Sequence, residues 1–494
     1  MNILSIYIAI PLLLLAAIIL TRDIKRVWHL SVAAMGLQVL LSAVLIFLFA
    51  SGGNAGNGGI SFFSDLTWFK SINIHFITGV DGISVALLAM TSLIFLSGTL
   101  TTSGNNSIKK DFYILLSLII LGSNGFLISA DIFSMLMFLG TTIIPFFFLF
   151  SIYSENKRKS VATVHILMLT GGYAMLIVGI LGIYMSSVPD GNQVTFNIRD
   201  IAHYLIPIQA QRAFFPMIFA GFAVIAGLFP FHILLPRNLS SCPAAVPMLY
   251  SGVLMKLGAY GILRIGIYLM PSAAGELSWL LMTLAAITVI YGAVGTMLQK
   301  DFKQMHVYSS ITFSGLIIFV LMLMNKTALT GAVLLMISHG LVSALLFALS
   351  EMIMKWHKTG LISEMTGLLR LRPFLAGCYV FAILALAGLP GLSGSFAGVF
   401  QQPDKLSMIL SIVIFSFFFP MAVWMIFRIA RVIFVPFKNA EIKQPEETGW
   451  QHRTALIILI LPVMAFVASP NWFSSGFAAS IQQILIRIAA MSQL

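Results

Sequence analysis

Long apolar runs, separated by short polar segments, recur along the whole chain. A helix needs about 20 apolar residues to cross the hydrocarbon core of a bilayer, and the sequence offers fourteen such runs. They are centred on residues 3–20, 27–50, 83–101, 112–129, 132–153, 160–185, 213–231, 244–269, 277–299, 306–324, 328–352, 374–400, 406–434 and 454–470. The pattern predicts an all-α polytopic membrane protein with one membrane domain, 1–494.

Two of the predicted spans contain residues that interrupt helices. Pro230 lies near the end of the seventh span, and Pro243 and Pro247 open the eighth. Residues 388–391, Gly-Leu-Pro-Gly, lie within the twelfth. Proline lacks the backbone donor that a helix interior requires. We therefore expect a broken twelfth helix and an irregular end to the seventh.

The composition agrees with a membrane location. Of the 494 residues, 59% are hydrophobic and only 9% are charged, whereas a soluble protein usually devotes about a quarter of its residues to charge. This balance excludes a cytosolic enzyme, a disordered protein and a nucleic-acid-binding domain. The net charge of +12 therefore needs another explanation than a polyanionic partner.

The basic residues are distributed unequally between the two sides of the predicted bundle. Two of the 28 lysines and arginines, Lys256 and Arg264, fall inside the eighth span. If the N-terminus faces outward, 20 of the others lie on the inner side. The outer side holds only Lys70, Arg199, Arg212, Lys326, Lys405 and Arg487. Inner loops of membrane proteins carry the excess of basic residues. The count supports fourteen spans, with both termini outside the cytoplasm of a bacterial inner membrane rather than in a mitochondrion.

The segments outside the spans are too short for a soluble domain with its own core. The longest are 51–78, 186–212 and 438–453. The first span lacks a basic leader and a cleavage site, so we expect it to be retained. The tail, 475–494, mixes apolar and polar residues and is interpreted as an interfacial helix or a contact for a neighbouring subunit.

Few ionisable residues lie inside the predicted spans. Lys256 lies near the middle of the eighth span, where burial disfavours the charged form and lets a lysine release and rebind a proton; the alternative is a lysine that reaches the interface. His339 in the eleventh span and His232 at the end of the seventh are relay candidates or structural histidines in equal measure. His165 is interpreted as structural, and Arg264 as an anchor near the interface.

No carboxylate lies in the middle of a span, because all sixteen Asp and Glu residues fall in loops or at helix ends. Phosphate-binding, iron–sulfur and nucleophile motifs are missing, and the two cysteines, Cys242 and Cys378, have no metal-ligand spacing. The sequence therefore predicts no catalytic, cofactor-binding or metal-ligating residues.

Several motifs together resemble one family, the antiporter-like membrane subunits of respiratory complex I, and most closely its chain M (subunit 4 in mitochondria). The motifs follow the family order along the chain at 72–76, 79–84, 230–236, 252–264, 301–303, 308–310, 338–341 and 388–391. The resemblance extends to subunits of cation/proton antiporters and membrane-bound hydrogenases. It implies two inverted five-helix repeats, here 112–269 and 277–434, with discontinuous seventh and twelfth helices.

The resemblance also implies a proton path near mid-membrane, of which this chain keeps only part. The eighth-helix Lys of the family matches Lys256, and the eleventh-helix His matches His339. His232 is the third candidate for the proton path, and possible supporting residues are Asp131, Asp301 and Lys303. The family's fifth-helix Glu, seventh-helix Lys, tenth-helix His and twelfth-helix acid fall on Gly140, Ile225, Phe313 and Val399, with Asp404 too near the interface to replace the last.

Two functions remain open from the sequence. The first is a membrane-arm subunit of a proton-translocating NADH:quinone oxidoreductase with a partly lost or rerouted proton path. NADH, FMN, iron–sulfur clusters and quinone are then expected in other subunits, and the partners are other membrane subunits, lipid, protons and water, without nucleic acid. The second is a non-pumping structural subunit of the same fold, or the equivalent subunit of an antiporter or hydrogenase complex.

Overall fold

The architecture is a bundle of apolar helices, as the hydropathy pattern predicts. The computed structural model describes residues 2–52, 60–69, 73–154, 159–187, 194–204, 206–388, 404–436 and 449–491. Within these ranges, 13 helical segments are long and apolar enough to cross a membrane. The chain is a multi-pass membrane protein.

The first half of the described chain contains ten helices and one hairpin. Its elements are α1 (Ile3–Leu20), α2 (Ile24–Ala50), β1 (Ser61–Phe69), β2 (Ile74–Val80), α3 (Gly82–Thr101), α4 (Lys110–Ile128), α5 (Ile132–Tyr153), α6 (Lys159–Ser186), the short α7 (Ile198–Tyr204), α8 (Ile208–Ala226), a 3₁₀ turn (Phe231–Leu234), α9 (Leu235–Ser240) and α10 (Ala245–Ile267).

The second half continues with long helices. They are α11 (Pro271–Leu298), α12 (Phe302–Met322), α13 (Lys326–His357), a 3₁₀ turn (Ile362–Glu364), α14 (Leu368–Leu371), α15 (Pro373–Ala387), α16 (Lys405–Phe434), α17 (Trp450–Ala468) and α18 (Pro470–Met491).

Aspartate side chains begin several of these helices. Asp81, Asp131 and Asp301 accept hydrogen bonds from the backbone N–H groups of Ser84, Ser134 and Gln304, at 2.9, 2.7 and 2.8 Å. Such caps satisfy the N–H groups that the first helical turn leaves without partners. Asp404 caps α16 in the same way. The acidic residues at span ends therefore have a structural role that their positions in the sequence already suggest.

The outer segment between α2 and α3 folds into a two-stranded antiparallel hairpin of β1 and β2. Ile77 donates from its backbone N–H to the Asp131 carboxylate at 3.1 Å, so the hairpin is joined to the start of α5. The sequence indicated only that residues 51–78 are too short for a core. The hairpin is stable here because it packs on the helical bundle.

The seventh span is interrupted as predicted. α8 ends at Gly227, which adopts φ 72° in the left-handed region, and the Leu228 N–H closes the helix end on the Ala223 carbonyl at 3.0 Å. Glycine adopts this conformation without strain. Ser314 on α12 donates to the Ala226 carbonyl at 2.6 Å. Buried polar partners therefore satisfy backbone groups at the break, as membrane depth requires.

Helices α10 and α13 form the centre of the bundle. Every residue of their apolar windows is buried, compared with 33% for α1 and 22% for α2. α10 packs against α3, α8, α12 and α13. It is not uniformly α-helical, because π-helical turns occur at Tyr250–Leu254 and Ile262–Ile267. π turns are rare and often accompany functional sites.

The predicted spans agree closely with the helices. The twelfth corresponds to α15, of which the described part ends at Gly388; its predicted break at 388–391 and Val399 lie outside the described residues beyond that point. The tail forms α18, whose Phe477, Ile481 and Ile484 are buried and whose Ser480 hydroxyl accepts from the Gly82 N–H at 3.1 Å. The interfacial or partner-contact role of this helix stays a prediction, as do the two inverted repeats.

Candidate functional site

A lysine and a histidine meet at the centre of the bundle. The Lys256 Nζ on α10 lies 2.8 Å from His339 Nδ1 on α13, and 2.8 Å from the Ser251 carbonyl oxygen, to which it donates. Each residue is only 1% exposed. Lys256 therefore does not reach the interface. At this distance one of the two nitrogens donates an N–H and the other accepts it: Lys256 donates when Nδ1 is unprotonated, and Nδ1–H donates when the lysine is a neutral amine.

An aromatic ring covers the far side of His339. The Phe313 ring on α12 stacks on the imidazole with centroids 4.4 Å apart and an interplanar angle of 20°. Phe418 on α16 packs edge-on against Phe313 at 5.3 Å. His339 Nε2 is buried and has no hydrogen-bond partner among the described residues. The hydrogen bond between Lys256 and His339 is therefore bordered by the apolar rings of Phe313 and Phe418.

The first two positions of the path expected from the family, Gly140 and Ile225, also carry no charge. Gly140 faces Tyr173 of α6: a Cβ atom built on this glycine would lie 2.7 Å from the Tyr173 hydroxyl oxygen. That hydroxyl donates to the Leu136 carbonyl at 3.0 Å. Ile225, near the end of α8, is fully buried. A tyrosine therefore occupies space beside Gly140 where a longer acidic side chain would have to fit.

His232 does not join the Lys256–His339 pair through any described hydrogen bond. Its ring is fully buried and packs against Tyr291 at 4.2 Å and Phe229 at 5.9 Å between centroids. Neither ring nitrogen has a hydrogen-bond partner of ordinary geometry in the described chain. His232 thus lies in an aromatic setting at the inner end of the interrupted span.

Lys303 belongs to a cluster of charges at the end of the bundle where α10 begins. Its Nζ lies 3.6 Å from Glu351 of α13 and donates to the Cys242 carbonyl. Glu351 also pairs with Lys355 at 2.8 Å and accepts from the Ala244 N–H. This cluster joins α12 and α13 to the segment before α10. Asp301 caps α12 beside it.

Asp131 lies at the opposite end of the bundle. It is fully buried and lines a pocket of about 210 Å³ together with Asp65, His75 and Asp200. Burial raises the pKa of Asp131 to about 6, against the hydrogen bonds from Ser134 and Ile77 that favour its charged form. The geometry connects Asp131 to the hairpin and α5, and not to Lys256.

Arg264 is not an exposed anchor. Its Nη1 lies 3.1 Å from the Asp81 carboxylate, and the two side chains are 11% and 1% exposed. Asp81 also begins α3 through a capping box with Ser84. The ion pair therefore joins the outer ends of α10 and α3, which is a structural role close to the one the sequence indicated.

Two buried polar groupings were not predicted. His165 on α6 contacts Asn238 of α9 at 2.7 Å and the Tyr250 hydroxyl of α10 at 3.1 Å. His306 on α12 contacts the Tyr379 hydroxyl of α15 at 3.0 Å. The partners are neutral polar residues 73 to 85 positions away, so a single sequence gives little signal for them beyond a histidine inside a span.

The described residues contain no group of three or more His, Cys, Asp or Glu side chains arranged to hold a metal ion. Cys242 and Cys378 are both buried and unbonded to each other.

The family "NADH:quinone oxidoreductase/Mrp antiporter, TM" matches residues 129–428, which include Lys256, His339 and the positions of the expected path. The chain belongs to this family. A chloroplastic NAD(P)H-quinone oxidoreductase chain 4 from Adiantum capillus-veneris is 30% identical over 380 residues, covering 76% of this chain and 75% of its own.

Two further relatives extend the similarity over nearly the whole chain. The NADH-quinone oxidoreductase subunit M of Rickettsia prowazekii is 27% identical and covers 98% of this chain and 99% of its own. A chain of respiratory complex I from Thermus thermophilus has the same fold, with a TM-score of 0.86 and 21% identity over 99% of this chain and 100% of its own. The resemblance inferred from the motifs is confirmed, and with it the fold of the NADH:quinone oxidoreductase/Mrp antiporter family.

Proposed function

We propose that the chain is a membrane-arm subunit of a proton-translocating NADH:quinone oxidoreductase, in which Lys256 and His339 exchange a proton at mid-membrane. The observation that carries the proposal is the 2.8 Å contact between these two buried side chains on the two central helices. Family membership and the similarity to subunit M over 98% of the chain support the choice of complex.

The proton exchange follows from the geometry. A charged Lys256 donates an N–H to His339 Nδ1; transfer of that proton leaves a neutral amine and an imidazolium. The reverse transfer restores the first state, and the charge on the pair is unchanged. Both groups titrate readily enough to act as acid and base when their surroundings disfavour charge. The Ser251 carbonyl holds the Lys256 nitrogen in place during the exchange.

The subunit would work within a larger assembly. NADH, FMN, iron–sulfur clusters and quinone would be bound by other subunits of that assembly. Its neighbours would be other membrane subunits and lipid, and its cargo protons carried by side chains and water. The excess of basic residues in the inner loops supports a bacterial inner membrane with both termini outside.

A non-pumping structural subunit is the second candidate. The apolar positions Ile225 and Phe313 and the small Gly140 favour it, because each replaces a charged or titratable residue expected from the family. The same argument applies if the complex is a cation/proton antiporter or a membrane-bound hydrogenase. The two candidates differ in one measurable property, which is whether proton transport depends on Lys256.

The test is replacement of Lys256 with Ala in the complete complex, reconstituted into vesicles. We expect the proton yield per electron to fall, while the rate of quinone reduction in the presence of an uncoupler and the subunit composition are retained. Lys326→Ala is the matched control, because this lysine is exposed at the outer end of α13. An unchanged yield in Lys256→Ala would favour the structural subunit.

A further inference from the structure

We propose that protons reach Lys256 from the inner side through a relay of His165 and Tyr250, with Asn238 orienting the imidazole of His165. The inference rests on the proposed function and adds a route that the family positions do not supply. The three side chains come from α9, α6 and α10, and all are buried. Asn238 Nδ2 lies 2.7 Å from His165 Nδ1, and His165 Nε2 lies 3.1 Å from the Tyr250 hydroxyl.

The hydrogen bonds of the relay all run in one direction. The Asn238 amide nitrogen can only donate, so His165 Nδ1 must accept. A neutral imidazole that accepts at Nδ1 carries its proton on Nε2, which therefore donates to Tyr250. The Tyr250 hydroxyl is then free to donate onward along α10. A chain of donors aimed from the inner loop toward the centre is the arrangement that proton transfer requires.

Tyr250 and Lys256 are six residues apart on α10, and one polar side chain, Ser251, lies between them. Six helical residues span about 9 Å, and this stretch contains the π-helical turn Tyr250–Leu254. Ser251 accepts from Lys256 through its carbonyl, while its buried hydroxyl has no partner among the described residues. Buried polar groups of this kind are where proteins hold ordered water. One water molecule at the Ser251 hydroxyl would connect the relay to Lys256.

The transfer balances. The Asn238 N–H releases the His165 Nδ1 lone pair, a proton from the inner side binds to Nδ1 in its place, and the Nε2–H bond breaks as the Nε2 proton passes to the Tyr250 oxygen. Tyr250 releases its original hydroxyl proton toward Lys256, where an N–H bond forms and the neutral amine becomes an ammonium. The imidazole and the phenol end neutral, so one positive charge has moved to Lys256. Return of His165 to its first tautomer completes the cycle.

Helix α6 explains why the route runs here. It carries both His165 and Tyr173, and Tyr173 packs against Gly140 at the position where the family path would begin. Fully buried Ile225 removes the second expected group of that path. On α6, Tyr173 thus fills the start of the expected route, and His165, two turns closer to the inner surface, provides the replacement.

The structural alternative is that the three side chains only hold α6, α9 and α10 together. Three variants separate the two readings in the reconstituted complex. His165→Phe keeps an aromatic ring beside Phe150, which lies 5.1 Å away between centroids. Tyr250→Phe removes only the hydroxyl. Phe150→Leu is the matched control, since it disturbs the packing around both His165 and Tyr250 without removing a proton-carrying group.

We expect His165→Phe and Tyr250→Phe to lower the proton yield per electron to the level of Lys256→Ala, with assembly retained, and Phe150→Leu to pump as the unmodified complex does. Normal pumping in Tyr250→Phe and His165→Phe, with a loss in Lys256→Ala, overturns the relay and leaves the proposed function. Equal losses in all three variants assign a packing role and also overturn it. If His165→Phe fails to assemble, Tyr250→Phe decides. Normal pumping in Lys256→Ala overturns the proposed function instead.

Discussion

Phe313 lies flat against one face of the His339 imidazole, with ring centroids 4.4 Å apart, while Lys256 contacts its Nδ1 edge. The pair of rings explains how a chain can keep a central lysine and histidine and still lack the rest of a path. An imidazole with a buried, unpartnered Nε2 can hold a proton, but a phenyl ring cannot receive it. Phe313 therefore acts as the boundary of the polar centre.

Replacement of Phe313 with His should extend the polar centre toward α16, whose Phe418 packs against this ring. We expect Lys256-dependent proton transport to increase, because an imidazole at this position adds a group beside His339 that can bind and release a proton. The unpaired imidazole should also lower the free energy of unfolding by about 1–3 kcal/mol. Vesicle proton uptake and thermal unfolding of the complex measure the two effects.

Phe313→Leu is the control for this prediction, because it keeps the site apolar. It should leave proton transport as it was, with a small loss of stability from the altered packing. Equal transport by Phe313→His and Phe313→Leu, in assembled complexes, would contradict the role assigned to this ring.

The Arg264–Asp81 ion pair should contribute strongly to stability. Because both side chains are buried, Arg264→Met leaves an unpaired carboxylate and should cost about 3–5 kcal/mol. Asp81→Asn should also destabilise, since the arginine then loses its partner. The double variant should recover much of the loss, and thermal unfolding of all four proteins in detergent measures the coupling. Additive losses would indicate that the two groups act independently.

Asp131 should make stability depend on pH. Its pKa rises from the ordinary 3.8 to about 6 on folding because the carboxyl is buried. The stabilisation is therefore complete below about pH 4 and is lost as the pH rises through about 6, which amounts to about 3 kcal/mol. The melting temperature of the unmodified protein should fall relative to that of Asp131→Asn over this pH range. At higher pH the two melting temperatures should change in parallel. Curves that are parallel from pH 4 upward would contradict the assignment.

Gly140 should tolerate no side chain while Tyr173 is in place. Gly140→Ala puts a Cβ 2.7 Å from the Tyr173 hydroxyl, and overpacking of this kind costs about 1–3 kcal/mol. Adding Tyr173→Phe should relieve part of the strain, so the double variant should be less destabilised than the sum of the single ones. Gly171→Ala is the control, because nothing lies within 4 Å of its new methyl group. Equal melting temperatures for Gly140→Ala and Gly171→Ala would count against this contact.

Much of the fold could be predicted because few backbone conformations are stable in lipid. Each span must satisfy its own backbone, so an apolar run of sufficient length indicates a helix and nearly fixes its ends. Helix α5, Ile132–Tyr153, begins and ends where the hydropathy pattern predicts. The outer hairpin was not predicted, because its pairing is set by packing on α5 and not by a local apolar pattern.

The site was predictable only as separate residues. Lys256 and His339 stand out since a basic group in an apolar span is costly, but their contact joins positions 83 residues apart. His165 was interpreted as structural because its partners, Asn238 and Tyr250, carry no charge that would mark them in a sequence. Glu351 was assigned to a helix end, and in the structure it forms ion pairs with Lys303 and Lys355.

The π-helical turn at Tyr250–Leu254 also determines how α10 can change. Such a turn accommodates one more residue than the α-helical turn it replaces, and each residue of an α-helix rotates the chain by about 100°. Deleting one residue from this turn would therefore restore a regular helix while the segments on either side, including the one that carries Lys256, keep their orientation. The same deletion from a regular α-helical turn would rotate Lys256 by about 100° away from His339. The π turn thus makes this stretch of α10 the place where the helix can lose a residue and still keep the central pair.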